Sequence, residues 1–172
     1  MATFKGPLGK DFNIGGVNTS ADAVAAAITG KRVYMRNHLW CNFVVVKDTD
    51  GGTADDLAVD LQEHDAASGG NSQDLDIITN YHTQSETTLD GDETWVLTTQ
   101  AAASEIAAIA GTAELEVVLV VSVHQDQLSD DFEWLSLNIP DLGSTDVQNC
   151  VIIPFLTGLQ VQRDPANLAA TQ

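Results

Sequence analysis

The 172-residue sequence predicts an all-β protein, a β-sandwich or jelly-roll-like fold of about eight strands with an extended N-terminal arm and at most one or two short helices. Three observations predict it. Runs rich in Val, Ile and aromatic residues recur along the chain, and stiff, branched side chains suit a pleated surface. The separators DTDGGTADD, DAASGGNSQD, SETTLDGDE, QDQLSDD and DLGSTDVQN are built from the residues that reverse a chain. Helical periodicity is almost absent.

Residues 1–30 read as the arm. They hold Gly6, Gly9, Gly15, Gly16, Gly30 and Pro7 among few large apolar side chains, so no core element is expected there. A short helix is possible over 21–28, with Ser20 as its N-cap. Phe4, Leu8, Phe12 and Ile14 stand out, because apolar side chains on an irregular arm mean that it lies on its own body or on a neighbour. Residues 31–159 read as the sandwich, with strands at 32–35, 38–47, 57–64, 75–81, 94–98, 114–124, 132–139 and 150–157. The run 115–123 holds five Val and two Leu and is the expected central strand. In 132–139, Phe132, Trp134, Leu137 and Ile139 keep no single period, which predicts a bulge or a strand covered on both faces. In the third strand Leu57, Val59 and Leu61 alternate with Ala58, Asp60 and Gln62, one buried face and one wet. The stretch AAASEIAAIAG, residues 101–111, allows a second short helix, and 160–172 reads as a tail.

The formal net charge of −18 is unevenly spread. Six of the seven Lys and Arg lie in the first 47 residues beside two carboxylates, and the other 23 of 25 carboxylates follow. Such a body repels phosphate backbones, so no direct nucleic-acid contact is expected. A basic amino-terminal segment on an acidic body predicts contact with an acidic partner, including the next copy of the chain. The candidate partner-binding residues are therefore Phe4, Lys5, Leu8, Lys10, Phe12, Ile14, Lys31, Arg32 and Arg36. No run is long enough to span a bilayer and MATFKGPLGK lacks the apolar core of a leader, so neither membrane contact nor export is expected. Cys41 and Cys150, far apart and in apolar runs, are expected to be buried free thiols.

Signatures of catalysis are missing: no GxSxG elbow, no GxxxxGK[ST] loop, no GxGxxG and no HExxH. His38, His64, His82 and His124 are scattered and read as surface or strand-end residues without metal spacing. The loops Asp48/Asp50/Asp55/Asp56 and Asp126/Asp130/Asp131/Glu133 offer oxygen ligands, but glycine is misplaced for a calcium loop and no closing Glu follows the first. No catalytic residue, cofactor or metal is expected. Trp40, Trp95 and Trp134 sit in apolar runs, which favours core or intersubunit packing over a sugar-stacking groove.

The series LWCNFVVVKD, DDLAVDLQEHDAASGGNSQDLDI, a Trp-bearing strand before TTQAAAS, and VVLVVSVHQDQLSDDFEWLSLNIPDLGS resembles a group of tailed-bacteriophage virion proteins, the capsid decoration or cement proteins and related minor structural proteins. It covers residues 39–144. The resemblance implies a non-enzymatic protein on the outer surface of the phage head, made in the host cytoplasm. Such proteins bind the major capsid protein, often as trimers, and clamp neighbouring capsomers. A tail or neck location, or a carbohydrate-binding module for host attachment, are the alternatives.

Overall fold

Alternation in three long strands sets the architecture. Within HLWCNFVVVK, EVVLVVSVH and NCVIIPFLTGL, over 41–47, 117–123 and 150–156, every second residue is buried, and the residues between are half-buried or exposed. The computed structural model describes residues 6–48, 55–143 and 146–161. Its strands are β1 (Phe12–Ile14), β2 (Asn18–Asp22), β3 (Val33–Tyr34), β4 (His38–Lys47), β5 (Val59–His64), β6 (Ser72–Asp74), β7 (Ile78–Glu86), β8 (Val96–Ala103), β9 (Glu105–Ile106), β10 (Glu116–His124), β11 (Trp134–Asn138) and β12 (Asn149–Leu159). They form two antiparallel sheets. The larger runs β1-β12-β4-β10-β7-β8, with β2 also on β12, and the smaller runs β3-β11-β5-β6, with β9 also on β5. Cys41, Phe43, Val45, Val117, Leu119, Val121, Cys150, Ile152 and Leu156 point inward from the large sheet. They meet Val33, Val59, Leu61, Leu135, Leu137 and Ile139 from the small one in a single core.

All eight expected strands are present, four short ones are added, and β10 lies inside the large sheet as expected. Leu135, Ser136 and Leu137 are all buried, so β11 is covered on both faces. Neither helix forms; the one helical turn among the described residues is a 3-10 turn at Gln125–Gln127. Over 21–28, β2 takes the first residues, the Asp22 carboxylate accepts from Val24 N–H, Ala23 N–H donates to the Gln148 carbonyl, and Ile28 bridges Ile139. Over 101–111, β8 and β9 claim the backbone and Ile109 N–H donates to the Leu57 carbonyl. Cross-strand partners take the groups a helix would have paired within itself.

The N-terminal segment is extended, but from Gly6 it belongs to the body: β1 and β2 pair in turn with β12, and Phe12 stacks on Phe155 at 4.6 Å. Its glycines serve close approach. A Cβ at Gly30 would collide with the Leu137 carbonyl oxygen, and one at Gly15 would press on Val33 and Pro154. Of the tail, Gln160 and Val161 are described, and 162–172 lie outside the described residues.

Polar side chains are buried as well, Glu63, Ser136 and Gln148 among them, and Lys47 and His64 stand out. Lys47, wholly enclosed at the end of β4, donates from Nζ to the carbonyls of Thr112 (2.6 Å), Ala113 (2.7 Å) and Asp55 (3.0 Å). It ties two loops to one end of the sandwich, and burial lowers its pKa. His64 is nearly enclosed on the outer side of the small sheet, with Nδ1 2.7 Å from Ser72 Oγ and Nε2 2.9 Å from Ser136 Oγ. The network continues from Ser136 to Asn138 and from Asn138 to Asp60. Burial, aided by the Arg32 charge, pushes His64 down to about 4.

Lys47→Met keeps the volume but leaves three carbonyls without their donor, that of Thr112 buried, and is expected to cost about 3 kcal/mol of unfolding free energy in urea titration. For His64 the folded pKa lies below the unfolded value near 6.5. Acid therefore favours the unfolded chain, and stability falls as pH drops from about 6.5 to about 4, by on the order of 2 kcal/mol. His64→Gln is expected to flatten that slope when urea midpoints are compared across the window. An unchanged slope would mean that His64 is protonated in the folded protein.

Candidate interaction surface

The registers that bury one face of β4, β10 and β12 fix what the opposite face presents. Four rows of side chains cross the outside of the large sheet. The first is Val151, Val46, Val118 and Gln84, and the second Ile153, Val44, Val120, His82 and Leu97. The third is Ile14, Phe155, Asn42 and Ser122, and the fourth Phe12, Thr157, Trp40 and His124. None of these positions holds Asp, Glu, Lys or Arg, in a chain of formal charge −18. Acidic groups begin at the rims. At one end Glu116 faces Glu86 across the ladder, and at the other the 3-10 turn brings in Asp126. No further sheet lies over this face among the described residues; the 89–95 segment reaches its Gln84 end, where the Gln84 side chain donates to the Glu93 carbonyl, and the central valines are half-buried. This uncharged, largely apolar sheet face on a strongly acidic protein is the candidate interaction surface.

The face ends at β8, whose approach carries the most exposed large apolar residues, Trp95 (51%), Val96 (54%) and Leu97 (58%). Trp95 lies with His82 and Val120 around a shallow apolar depression of about 250 Å³. Trp40 is also exposed and meets the His124 ring edge-on at 4.6 Å. Trp134 is half-buried beside Tyr34, ring centres 4.8 Å apart. None of the tryptophans is a core residue, which corrects the core-packing half of that expectation. The histidines divide as well. His38 and His64 are buried, and only His82 and His124 reach the surface. The partners of His64 left no local signal, since Ser72 falls in the DAASGGNSQD separator and Ser136 lies 72 residues on.

The expected partner-binding residues separate into groups. Phe4 and Lys5 lie outside the described residues. Phe12 and Ile14 join the uncharged face through β1, and Leu8 forms a bridge to Phe12. Lys10 and Lys31 are exposed. Arg36 is exposed, 3.5 Å from Glu133, and its pKa is raised by a hydrogen bond to Tyr34 and by the Glu133 charge. Arg32 works inside the chain: its guanidinium donates to the carbonyls of Ala66 and Gly69, both at 2.7 Å, and to Ser72 Oγ. The valines of β4, β10 and β12 were missed as surface residues because continuous apolar runs read as strands covered on both sides.

Reactive groups are not gathered on this face. Cys41 and Cys150 are free and buried, and burial raises both thiols, Cys150 to about 12. The carboxylates that converge within 4.8 Å among the described residues are Glu86, Asp92 and Glu93, a group not anticipated from sequence. Asp126, Asp130, Asp131 and Glu133 instead line an open cavity of about 310 Å³ with Arg36. The loop 48–56 lies mostly outside the described residues, and within it the Asp56 carboxylate accepts from Thr112 N–H at 2.8 Å. No described helix is long and apolar enough to cross a membrane. Comparison of the chain with protein-family models, with curated proteins and with solved structures finds no match.

Proposed function

We propose that this chain is a non-enzymatic structural protein of a phage virion, a decoration protein that binds the outside of the head and stabilises contacts between units of the major capsid protein. The observation that carries the reading is the uncharged outer face of the large sheet. Covering its half-buried Val and Ile side chains contributes on the order of 0.5–1 kcal/mol each, so several of them together hold a partner without any reactive group. The carboxylates around the rim resist random association of copies in solution and confine contact to the face. Phe12 and Ile14 extend it, which gives the N-terminal segment a part in the attachment while it remains paired with β12. The resemblance over 39–144 spans β4 to β11, most of the sandwich. A sugar-binding role is the second reading, supported by exposed Trp95 beside His82.

Co-sedimentation with expanded empty phage heads tests the proposal. The protein is expected to pellet in a fixed ratio to capsomers. Val44→Asp and Val120→Asp together are expected to weaken binding at least about tenfold, with a stability cost of about 1 kcal/mol per site. Labelling on tails alone would move the protein to the tail or neck. No pelleting, together with a positive glycan array that Trp95→Ala abolishes, would favour the sugar-binding reading.

A further inference from the structure

Among the described residues, the large sheet ends in a strand with a free edge. β8 is last in the order, and no backbone hydrogen bond among the described residues reaches its free edge. Edges of this kind are normally blunted with Lys, Pro or an inward charge. From Thr94 to Ser104 the chain has no charged residue and no proline. The ladder of β7 on β8 is regular from Val96 to Thr99 and then breaks, because Ala103 faces Ile78 while Thr99 faces Asn80. The Gln100 side chain fills the break, donating to the carbonyls of Ile78 (3.1 Å) and Glu105 (2.9 Å). The open, regular edge is therefore 95–99.

We propose that a second copy of this chain pairs on that edge, antiparallel, about a two-fold axis through Leu97. The pairing sets Leu97 against Leu97, Trp95 against Thr99 and Val96 against Thr98. Large side chains meet small ones and no like charges face each other, as self-complementarity across a two-fold requires. Charge selects the occupant. Two copies this acidic repel except along the uncharged face and this uncharged strand at its border, and of the two only the strand offers unpaired backbone groups, whereas a basic foreign segment would be drawn to the carboxylate-rich rims. The link also carries the row from Ile153 to Leu97 on into the second copy, so two uncharged faces become one. The break at 100–102 limits the ladder, and the two-fold closes it, so it yields a pair and not a growing fibre.

Sedimentation velocity of the full chain at low and high salt, with Leu97→Lys and Leu97→Cys variants, tests this. The wild type is expected to be a dimer that tightens with salt as like charges are screened. Leu97→Lys is expected to raise the dissociation constant at least about tenfold. Leu97→Cys is expected to cross-link into covalent dimers under mild oxidation, since both native thiols are buried. Leu97 is more than half exposed, so folding is retained, and far-UV circular dichroism checks it. A wild type that stays monomeric at about 100 μM in high salt, a trimer or dimer indifferent to Leu97→Lys, or absence of the cross-link would each overturn the proposal. The proposal does not depend on shell binding: a Leu97-dependent dimer that ignores phage heads would uphold the pairing and sink the decoration reading.

Discussion

The register of β12 on β4 and of β4 on β10 is the constraint on which the rest depends. It sets Cys150, Lys47 and Val117 in one inward row and Val151, Val46 and Val118 in the next row outward. Because side chains alternate with period two, a slip of one residue would turn the whole set over. Lys47 would then face solvent, and the carbonyls of Thr112, Ala113 and Asp55 would lose their donor. One enclosed ammonium thus penalises the wrong register at the point where both loops close. β12 is also the strand that accepts β1 and β2, so the two ends of the described chain are fastened by the same ladder. Pairings this distant in sequence make for slow folding relative to a protein of local contacts.

The two outer faces differ in kind, and the difference follows from composition. On the small sheet His64, Ser136, Asn138 and Asp60 are joined in a chain of hydrogen bonds, Gly30 N–H adds a bond to Asn138, and the Gln62 side chain donates to Asp74. That face is polar and its groups satisfy themselves, so it asks for no partner. On the large sheet Val44, Val46, Val118 and Val120 have nothing to bond and no further sheet above them among the described residues. The acidic groups are pushed to the ends of the strands, where Glu116 and Glu86 face each other. An electrostatic deterrent around a dry surface favours a specific contact over general stickiness.

The long strands could be read from sequence because each carries its own pattern: HLWCNFVVVK and EVVLVVSVH are β4 and β10 with bounds close to those expected. The short strands could not. β6 (SQD) and β9 (EI) have no apolar period, and they exist because β5 offers them a ladder. Glycine misled for a related reason. In 1–30 it reads as looseness, yet Gly15 and Gly30 are small so that the chain passes close to Pro154 and Leu137. Arg32 looked like a hand held out to a partner and instead holds the 66–72 turn of its own chain. Long-range geometry decides such cases, and a linear pattern does not carry it.

The uncharged face shows both what sequence tells and where it stops. A run such as VVLVVSV announces a strand covered on both sides, and in a self-sufficient domain the second cover would come from the same chain. Here one cover is the small sheet, and the other is not among the described residues. The composition of β4, β10 and β12 is thus that of an interior, while their outer face is that of a surface. A chain of this acidity has ample charge to solvate the face and places none of it there. Selection for solubility alone would have put Lys, Glu or Thr at those positions, as it did along Asp60, Gln62 and Asp74 of the small sheet. Val44, Val46, Val118 and Val120 therefore combine the residue types of an interior with the half-buried position of a surface.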